Sequence, residues 1–264
     1  MDYLNDVLLG VIEGITEFLP ISSTGHLLLA EHWLGARSEM YNIVIQAGAI
    51  LAVTLIYWRR ILALLTGWGD AQNRDYLVKL MLAFLITAIL GLIVKKLGFE
   101  LPDTVQPIAW ALVLGGVWMM VAEWMAAGRP DSRIITLRVA IAVGLAQVVA
   151  GVFPGTSRSA ATIFVAMLVG TTNRAAATEF AFLVGIPTMY AASGYELLKQ
   201  VKGGTAAGDW TALGIAFVVS TVTAFVAVKW LLTYIQTHRF TVFAIYRILL
   251  GCLILALSTS GLIT

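Results

Sequence analysis

Two polar stretches within apolar segments contain the side chains best suited to chemistry. The first combines two carboxylates, three hydroxyls and a histidine: Glu13, Glu17, Ser22, Ser23, Thr24, Gly25 and His26. The second places one cation among hydroxyls: Thr156, Ser157, Arg158, Ser159 and Thr162. Carboxylates bind divalent metals or move protons, serine and histidine serve as nucleophile or acid–base, and arginine pairs with phosphate. Because phosphoryl transfer depends mainly on positioning and charge neutralisation, these groups predict that chemistry at an anion site.

The spacing within the first stretch places its reactive groups on common faces. Glu13 and Glu17 are four residues apart and share one face of a helix. Two carboxylates in apolar surroundings need a partner or a metal, unless they lie at a helix end and reach water. Ser23 and His26 are three apart and can face the same way, which is compatible with catalysis or with a solvated turn.

Each polar stretch follows a proline and is expected to begin a new helix. Pro20 precedes Ser22 and Ser23, either of which can cap that helix, and Pro154 precedes Ser157, which can cap the second. Free backbone N–H groups and the helix dipole favour anions at such starts. The residues expected to bind the substrate there are Ser22, Thr24, Gly25, Thr156, Ser157, Ser159 and Thr162.

Arg158 at membrane depth requires an anion. Either it binds a substrate phosphate, or it forms a structural ion pair with Glu13 or Glu17. The two interpretations are compatible with successive states of one catalytic cycle.

Four further ionisable residues in apolar segments are weaker candidates. Glu123 and Glu196 lie near the ends of apolar runs and are expected to face the membrane interface. Glu179 is expected to make an interior polar contact. Arg247 is expected to pair with Glu179 or to reach the cytoplasmic interface, and the sequence does not decide between these.

The composition excludes a soluble enzyme and a nucleic-acid-binding protein. Of the 264 residues, 59% are hydrophobic and 12% charged, with a mean hydropathy of +0.89. Soluble domains have roughly 25% charged residues. A net charge of +2 provides no basic field for nucleic acid. Cys252 is the only cysteine, so an intrachain disulfide is impossible, and the N-terminus lacks a signal-peptide pattern.

Six apolar runs are long enough to cross a membrane, and two further segments are interrupted. The runs cover about 41–58, 77–95, 106–127, 176–197, 210–232 and 241–262. The interrupted segments, 4–34 and 134–170, contain the two polar stretches and predict re-entrant helical hairpins. The polar stretch 67–75 is expected to be a loop. The sequence therefore predicts an all-α polytopic membrane protein with a single membrane domain.

The interrupted segments align with each other at an offset of 134 residues. The alignment pairs Gly10 with Gly144, Glu13 with Gln147, Pro20 with Pro154 and Ser23 with Ser157. Three spans follow each hairpin, so the hairpins enter from opposite sides of the membrane. This predicts an inverted-topology repeat, with halves of about 1–130 and 131–264 and a site near the midplane. The Lys/Arg bias puts segment 59–76 in the cytoplasm, so the first hairpin enters from outside.

Both polar motifs resemble those of the undecaprenyl-diphosphate phosphatase family, the bacitracin-resistance membrane phosphatases. Residues 13–26 match the family signature E-G-x-T-E-F-L-P-[IV]-S-S-T-G-H without a departure. Residues 154–162 are similar to its P-G-x-S-R-S-x-x-T motif, and residues 179–180 and 243–247 also fit. The resemblance covers essentially the whole chain.

This resemblance implies hydrolysis of undecaprenyl diphosphate, which recycles the lipid carrier for cell-wall synthesis, and resistance to bacitracin. It implies a multi-pass protein of the bacterial inner membrane with its active site open to the periplasm, and a homodimer. It assigns catalysis to Glu13, Glu17, Ser23, His26 and Arg158, with a divalent cation such as Mg²⁺ or Ca²⁺ held by Glu13 and Glu17.

Three mechanisms and one competing function follow from these residues. Ser23 attacks phosphorus with His26 as general base, or His26 is itself the nucleophile, or a metal-bound water attacks directly. The competing function is a lipid-phosphate flippase or anion transporter, because inverted repeats with broken helices are typical of transporters. The Ser23–His26 pair beside Glu17 favours the enzyme, since transport needs no nucleophile.

Overall fold

The computed structural model describes residues 3–98, 104–203 and 209–263, and its regular structure over these residues is entirely helical. The helices, in chain order, are α1 (Tyr3–Thr16), α2 (Ser23–Leu34), α3 (Glu39–Ile56), α4 (Trp58–Thr66), α5 (Ala71–Lys96), α6 (Val105–Ala127), α7 (Leu137–Val152), α8 (Arg158–Val169), α9 (Arg174–Lys202), α10 (Trp210–Tyr234) and α11 (Thr241–Thr259). Six of these are long and apolar enough to cross a membrane: α3, α5, α6, α9, α10 and α11. Each coincides with one predicted apolar run, so the prediction of a multi-pass helical protein is confirmed.

The prediction of a loop over 67–75 was largely wrong. Helix α4 precedes this stretch, and α5 begins within it, at Ala71. The carboxylate of Asp70 accepts a hydrogen bond from the Gln72 N–H at 2.9 Å, which caps the start of α5. Aspartate is a favourable N-cap, so a polar first turn extends the helix beyond its apolar run.

Each interrupted segment forms two short helices that pack against each other. Helices α1 and α2 are joined by residues 17–22, and α7 and α8 by residues 153–157. Both second helices begin after a serine in the left-handed region, Ser22 at φ 73° and Ser157 at φ 65°. These are the two described non-glycine residues with positive φ, and such strain usually marks a functional site.

Close helix packing around both helix pairs depends on small residues. Helix α10 packs against α1 and α3, whereas α5 packs against α7 and α9. A side chain at Gly10 would lie 2.7 Å from the Ala216 carbonyl oxygen of α10. One at Gly144 would lie 2.8 Å from the Ala83 carbonyl oxygen of α5. Glycine is therefore required at both crossings, because any β-carbon would collide with backbone.

Glu123 does not face the membrane interface as predicted from the sequence. It is 2% exposed and accepts two hydrogen bonds from Arg174, at 2.9 and 2.7 Å. It also accepts the Phe240 N–H at 3.0 Å. The carboxylate thus joins α6 to the starts of α9 and α11. The sequence showed only that Glu123 lies near the end of an apolar run, and it could not show that three helices meet at this residue.

The substitution Glu123→Ala is expected to destabilise the protein by about 3–5 kcal/mol, because it leaves the partly buried Arg174 guanidinium without its counter-ion. Thermal unfolding in detergent, followed by circular dichroism, measures this loss. Glu196→Ala is the matched control: its ion pair with Lys95 is more exposed and should contribute no more than about 1 kcal/mol. Equal unfolding temperatures for the two variants would contradict the assignment.

Candidate active site

Glu17 lies at the centre of the candidate site, in the turn that follows α1. Its Oε2 accepts a hydrogen bond from the Ser23 hydroxyl at 2.5 Å, and its Oε1 accepts one from Gln46 Nε2 at 3.4 Å. The Nη2 atom of Arg158 lies 3.7 Å from the same Oε1. One buried carboxylate therefore contacts the start of α2, the start of α8 and the membrane-spanning helix α3. The tertiary structure thus brings the two predicted polar stretches together.

Arg158 shows the structural ion pair that was one of its two predicted interpretations. The 3.7 Å separation from Glu17 is longer than a hydrogen bond, and 29% of the Arg158 side chain is exposed. Its guanidinium therefore retains donors for an incoming anion. A loose pair of this kind can be exchanged for a bidentate phosphate contact.

Glu13, near the end of α1, provides a second buried carboxylate four residues before Glu17. It is 1% exposed, and its Oε2 has no hydrogen-bond partner among the described residues. Magnesium is commonly held by one or two carboxylates together with substrate phosphates and water. The described part of the chain contains no cluster of three Asp, Glu, His or Cys residues that could hold a metal alone. Glu13 and Glu17 therefore fit a cation that the substrate helps to coordinate.

Both nitrogens of His26 are engaged, and neither contacts Ser23. Nδ1 lies 2.7 Å from the Ser22 carbonyl oxygen, and Nε2 lies 2.7 Å from the Tyr246 hydroxyl. A carbonyl oxygen can only accept, so Nδ1 carries the proton, and Nε2 of the neutral ring accepts from Tyr246. The sequence-based mechanism with His26 as general base for Ser23 does not match this arrangement, since the Ser23 hydroxyl donates to Glu17.

Arg247 corrects a further sequence-based expectation. It neither pairs with Glu179, which binds Arg60 at 3.1 Å, nor reaches an interface, because it is 0% exposed. Its guanidinium donates to four backbone carbonyls, those of Pro20 (3.4 Å), Ala111 (3.2 Å), Gly155 (3.0 Å) and Thr156 (3.0 Å). The broken helices leave the carbonyls of Pro20, Gly155 and Thr156 without intrahelical partners, and Arg247 satisfies them in both turns at once. The contact with Ala111 links the two turns to α6.

The hydroxyl groups of the second turn form hydrogen bonds within that turn and one bond to the first turn. Ser157 accepts the Ala160 N–H at 3.3 Å, which confirms it as a cap, and lies 3.0 Å from the Ser159 hydroxyl. Ser159 donates to the Leu19 carbonyl at 3.1 Å, and Thr162 donates to the Arg158 carbonyl at 2.8 Å. These hydrogen bonds therefore hold the two turns together, and the same three residues also line the cavities at the site.

The prediction of a side-chain cap in the first turn was wrong. Ser22 occupies the N-cap position of α2, but its buried hydroxyl has no hydrogen-bond partner among the described residues. Ser22 and Ser157 are the N-caps of α2 and α8, whereas the alignment at an offset of 134 paired Ser157 with Ser23. The two differ because Ser22 is the second residue after Pro20, and Ser157 is the third after Pro154.

Two small cavities adjoin Glu17 and Arg158. One, of about 60 Å³, is lined by Ser22, Ser23, Thr24, Gln46, Gly155 and Ser157 in addition to the shared pair. The other, of about 20 Å³, is lined by Gln147, Ser159 and Thr162 on its polar side. Gly25, which packs towards Leu112, and Thr156 line neither cavity. Both cavities are partly open, and together they place polar side chains of both turns around Glu17 and Arg158.

Sequence reasoning missed three residues that contact this site. Gln46 lies in an apolar span, and Gln147 appeared only as the repeat partner of Glu13. Tyr246 appeared only within the fitting segment 243–247, with no role attached. A polar side chain in an otherwise apolar run is the signal that could have identified each of them.

Comparison with known proteins agrees with these motifs. The family model described as "Bacitracin resistance protein BacA" matches residues 6–253. Proteins named undecaprenyl-diphosphatase are similar over the whole chain: those of Rhizobium etli (strain CIAT 652) and Rhizobium johnstonii are each 74% identical over 264 residues, covering 100% of both chains. One from Xanthomonas euvesicatoria pv. vesicatoria is 62% identical over 255 residues, 96% of each chain.

Proposed function

Because this chain belongs to the bacitracin resistance protein BacA family, we propose that it is an integral-membrane phosphatase. It hydrolyses undecaprenyl diphosphate to undecaprenyl phosphate and inorganic phosphate, the activity named for its relatives. The observation that carries the proposal is the 2.5 Å hydrogen bond from Ser23 to the buried Glu17, next to Arg158. A hydroxyl nucleophile, a proton acceptor and a phosphate-binding cation are thereby adjacent.

In the proposed mechanism, the terminal phosphate binds between the starts of α2 and α8. Their free N–H groups bind its oxygens, and Arg158 transfers from Glu17 to the phosphate. Glu17 accepts the Ser23 proton as the Ser23 oxygen bonds to the terminal phosphorus. The bond between that phosphorus and the bridging oxygen breaks, and Glu17 passes the proton to the departing undecaprenyl phosphate.

The second half of the cycle restores the serine. Glu17 takes a proton from water as the water oxygen bonds to phosphorus and the bond from phosphorus to Ser23 breaks. The proton returns to Ser23, and inorganic phosphate leaves. The geometry favours Glu17 over His26 as the base, because the Ser23 hydroxyl already donates to Glu17.

His26 is assigned to ordering the first turn. Its Nδ1–H donates to the carbonyl of Ser22, the residue that begins α2 and whose neighbours bind the phosphate. Its Nε2 becomes a proton acceptor when substrate displaces the Tyr246 hydroxyl.

A divalent cation, Mg²⁺ or Ca²⁺, is proposed to be held by Glu13 and Glu17. When bound, this cation would neutralise part of the charge on the phosphate. The buried Glu13 Oε2 without a described partner supports this assignment.

The two helix pairs are proposed to be re-entrant hairpins of an inverted repeat, with halves 1–130 and 131–264. The packing supports this, because the contact of α1 with α10 has its counterpart in that of α7 with α5. Likewise, the contact of α3 with α10 corresponds to that of α9 with α5. The left-handed serines Ser22 and Ser157 occupy equivalent places in the two pairs.

The active site is proposed to open to the periplasmic side of a bacterial inner membrane. The distribution of Lys and Arg supports this orientation. Right-side-out vesicles should then release phosphate into the outer solution from substrate added there. Phosphate release confined to inverted vesicles would contradict the orientation. The homodimer implied by the resemblance stays a prediction.

Phosphate release from a short-chain polyprenyl diphosphate in detergent tests the function. We expect release by the unmodified protein, its loss with EDTA, and its loss in Glu17→Ala and Arg158→Ala. Glu196→Ala, which changes a peripheral carboxylate, should retain activity. Folded protein that binds the substrate but releases no phosphate would overturn the enzyme assignment and favour the flippase or anion transporter.

A further inference from the structure

Gln147 has a buried side-chain amide with no role in the mechanism proposed above. It lies on α7 and is 3% exposed. Neither its Oε1 nor its Nε2 has a hydrogen-bond partner among the described residues. Burying an amide without partners is unfavourable, so each such group in a folded protein requires an explanation.

The side chain of Gln147 lines the smaller of the two cavities. This cavity, of about 20 Å³, also borders Glu17, Arg158, Ser159 and Thr162, and α9 closes its apolar side with Phe182 and Met189. A site needs roughly 10–15 Å³ and two to four polar partners to hold a water molecule. The Gln147 cavity meets both conditions.

The chemistry of the amide favours water over an anion. An amide presents one acceptor, Oε1, and donors on Nε2. An ionised phosphate can only accept, so it would leave the Gln147 oxygen unsatisfied. Water both donates and accepts, so a single molecule can satisfy either amide atom and still reach Glu17.

The position of the cavity connects this water to the reaction. Glu17 and Arg158 line both cavities, whereas Ser23 lines only the larger one. A water molecule in the Gln147 cavity therefore adjoins the carboxylate that contacts the nucleophile, without competing with Ser23 for space. A phosphate bound by Arg158 would also border this cavity, because Arg158 lines both.

We propose that the Gln147 cavity is the binding site of the hydrolytic water, and that Gln147 is the residue that positions it. This inference rests on the proposed phosphatase function. The water oxygen bonds to the phosphorus of the Ser23 phosphoester as Glu17 accepts its proton. The bond from phosphorus to the serine oxygen breaks, and Ser23 regains a proton from Glu17.

The proposal can be tested by identifying which molecule accepts the phosphate from Ser23. A purely structural role of Gln147 would not change the choice of acceptor. In buffer containing methanol, the phosphate can pass either to water, giving inorganic phosphate, or to methanol, giving methyl phosphate. A cavity sized for water should exclude the methyl group, and close-fitting sites discriminate by about 10–200-fold for one such group. Gln147→Ala enlarges the cavity, so the ratio of methyl phosphate to phosphate should rise at least tenfold over the unmodified protein.

Gln147→Leu serves as the matched variant, because it removes both polar atoms while keeping the cavity filled. We expect its kcat to fall about 100-fold, since a misplaced reactant costs about that much. Its KM and its methyl phosphate ratio should stay unchanged. Unfolding temperatures in detergent establish whether each variant is folded. If only one of the two variants folds, that variant alone still tests the proposal.

Two outcomes would overturn the inference while leaving the proposed function intact. One is an unchanged methyl phosphate ratio in folded Gln147→Ala, and the other is an unchanged kcat in folded Gln147→Leu. Failure of the unmodified protein to release phosphate in the same assay would instead contradict the phosphatase function itself.

Discussion

Glu17→Gln should lower kcat for phosphate release by about 10²–10⁴-fold when substrate and divalent cation are both saturating. The glutamine oxygen can still accept the hydrogen bond from Ser23, so the geometry at 2.5 Å is largely retained. The amide cannot accept the serine proton, however, and general-base catalysis contributes about that factor. Single-turnover measurements on a short-chain polyprenyl diphosphate separate this loss from slow product release.

Gln46→Ala provides the comparison for the Glu17 variant. Gln46 also contacts Glu17, but through a weak 3.4 Å hydrogen bond to Oε1. Because this hydrogen bond is long, its loss should cost only about 1 kcal/mol although the acceptor is a carboxylate, so the rate should change by less than about tenfold. An unimpaired rate in Glu17→Gln would exclude Glu17 as the base and favour His26 in that role.

Arg247→Met is expected to reduce both stability and activity. The substitution leaves three carbonyl oxygens without their donor, those of Pro20, Gly155 and Thr156, whereas Ala111 keeps its bond within α6. Each buried acceptor that loses its partner costs about 1–3 kcal/mol before relaxation, so the unfolding temperature should fall markedly. The two turns would also shift, and a displacement of about 1 Å at a reacting group costs about 10²-fold in rate.

Two other arginine variants make the Arg247 result interpretable. Arg247→Lys retains the charge but presents a compact ammonium, which cannot reach carbonyls on both turns, so an intermediate loss is expected. Arg239→Met removes an exposed arginine at the start of the same helix and should have little effect. An Arg247→Met protein with normal stability and normal turnover would show that the turns do not depend on this guanidinium.

The sequence by itself determined the class of the protein and the positions of its helices. Membrane spans depend on local hydropathy over roughly 20 residues, which any window of the chain reveals. Pro20 and Pro154, each followed by small polar residues, interrupt two helices for equally local reasons. The reactive residue types were also visible, because carboxylates, histidine and arginine are rare within apolar segments.

Only the tertiary structure decided which of these groups are partners. His26 and Tyr246 are 220 positions apart, and Arg247 meets Pro20 across 227. The sequence suggested a charged partner or an interface position for Arg247, and neither is found. It placed Glu123 at the interface because this residue lies near the end of an apolar run. A buried guanidinium can instead be satisfied by carbonyls that a broken helix leaves free. Which carbonyls these are depends on how separate helices pack, and no local window of the sequence contains that information.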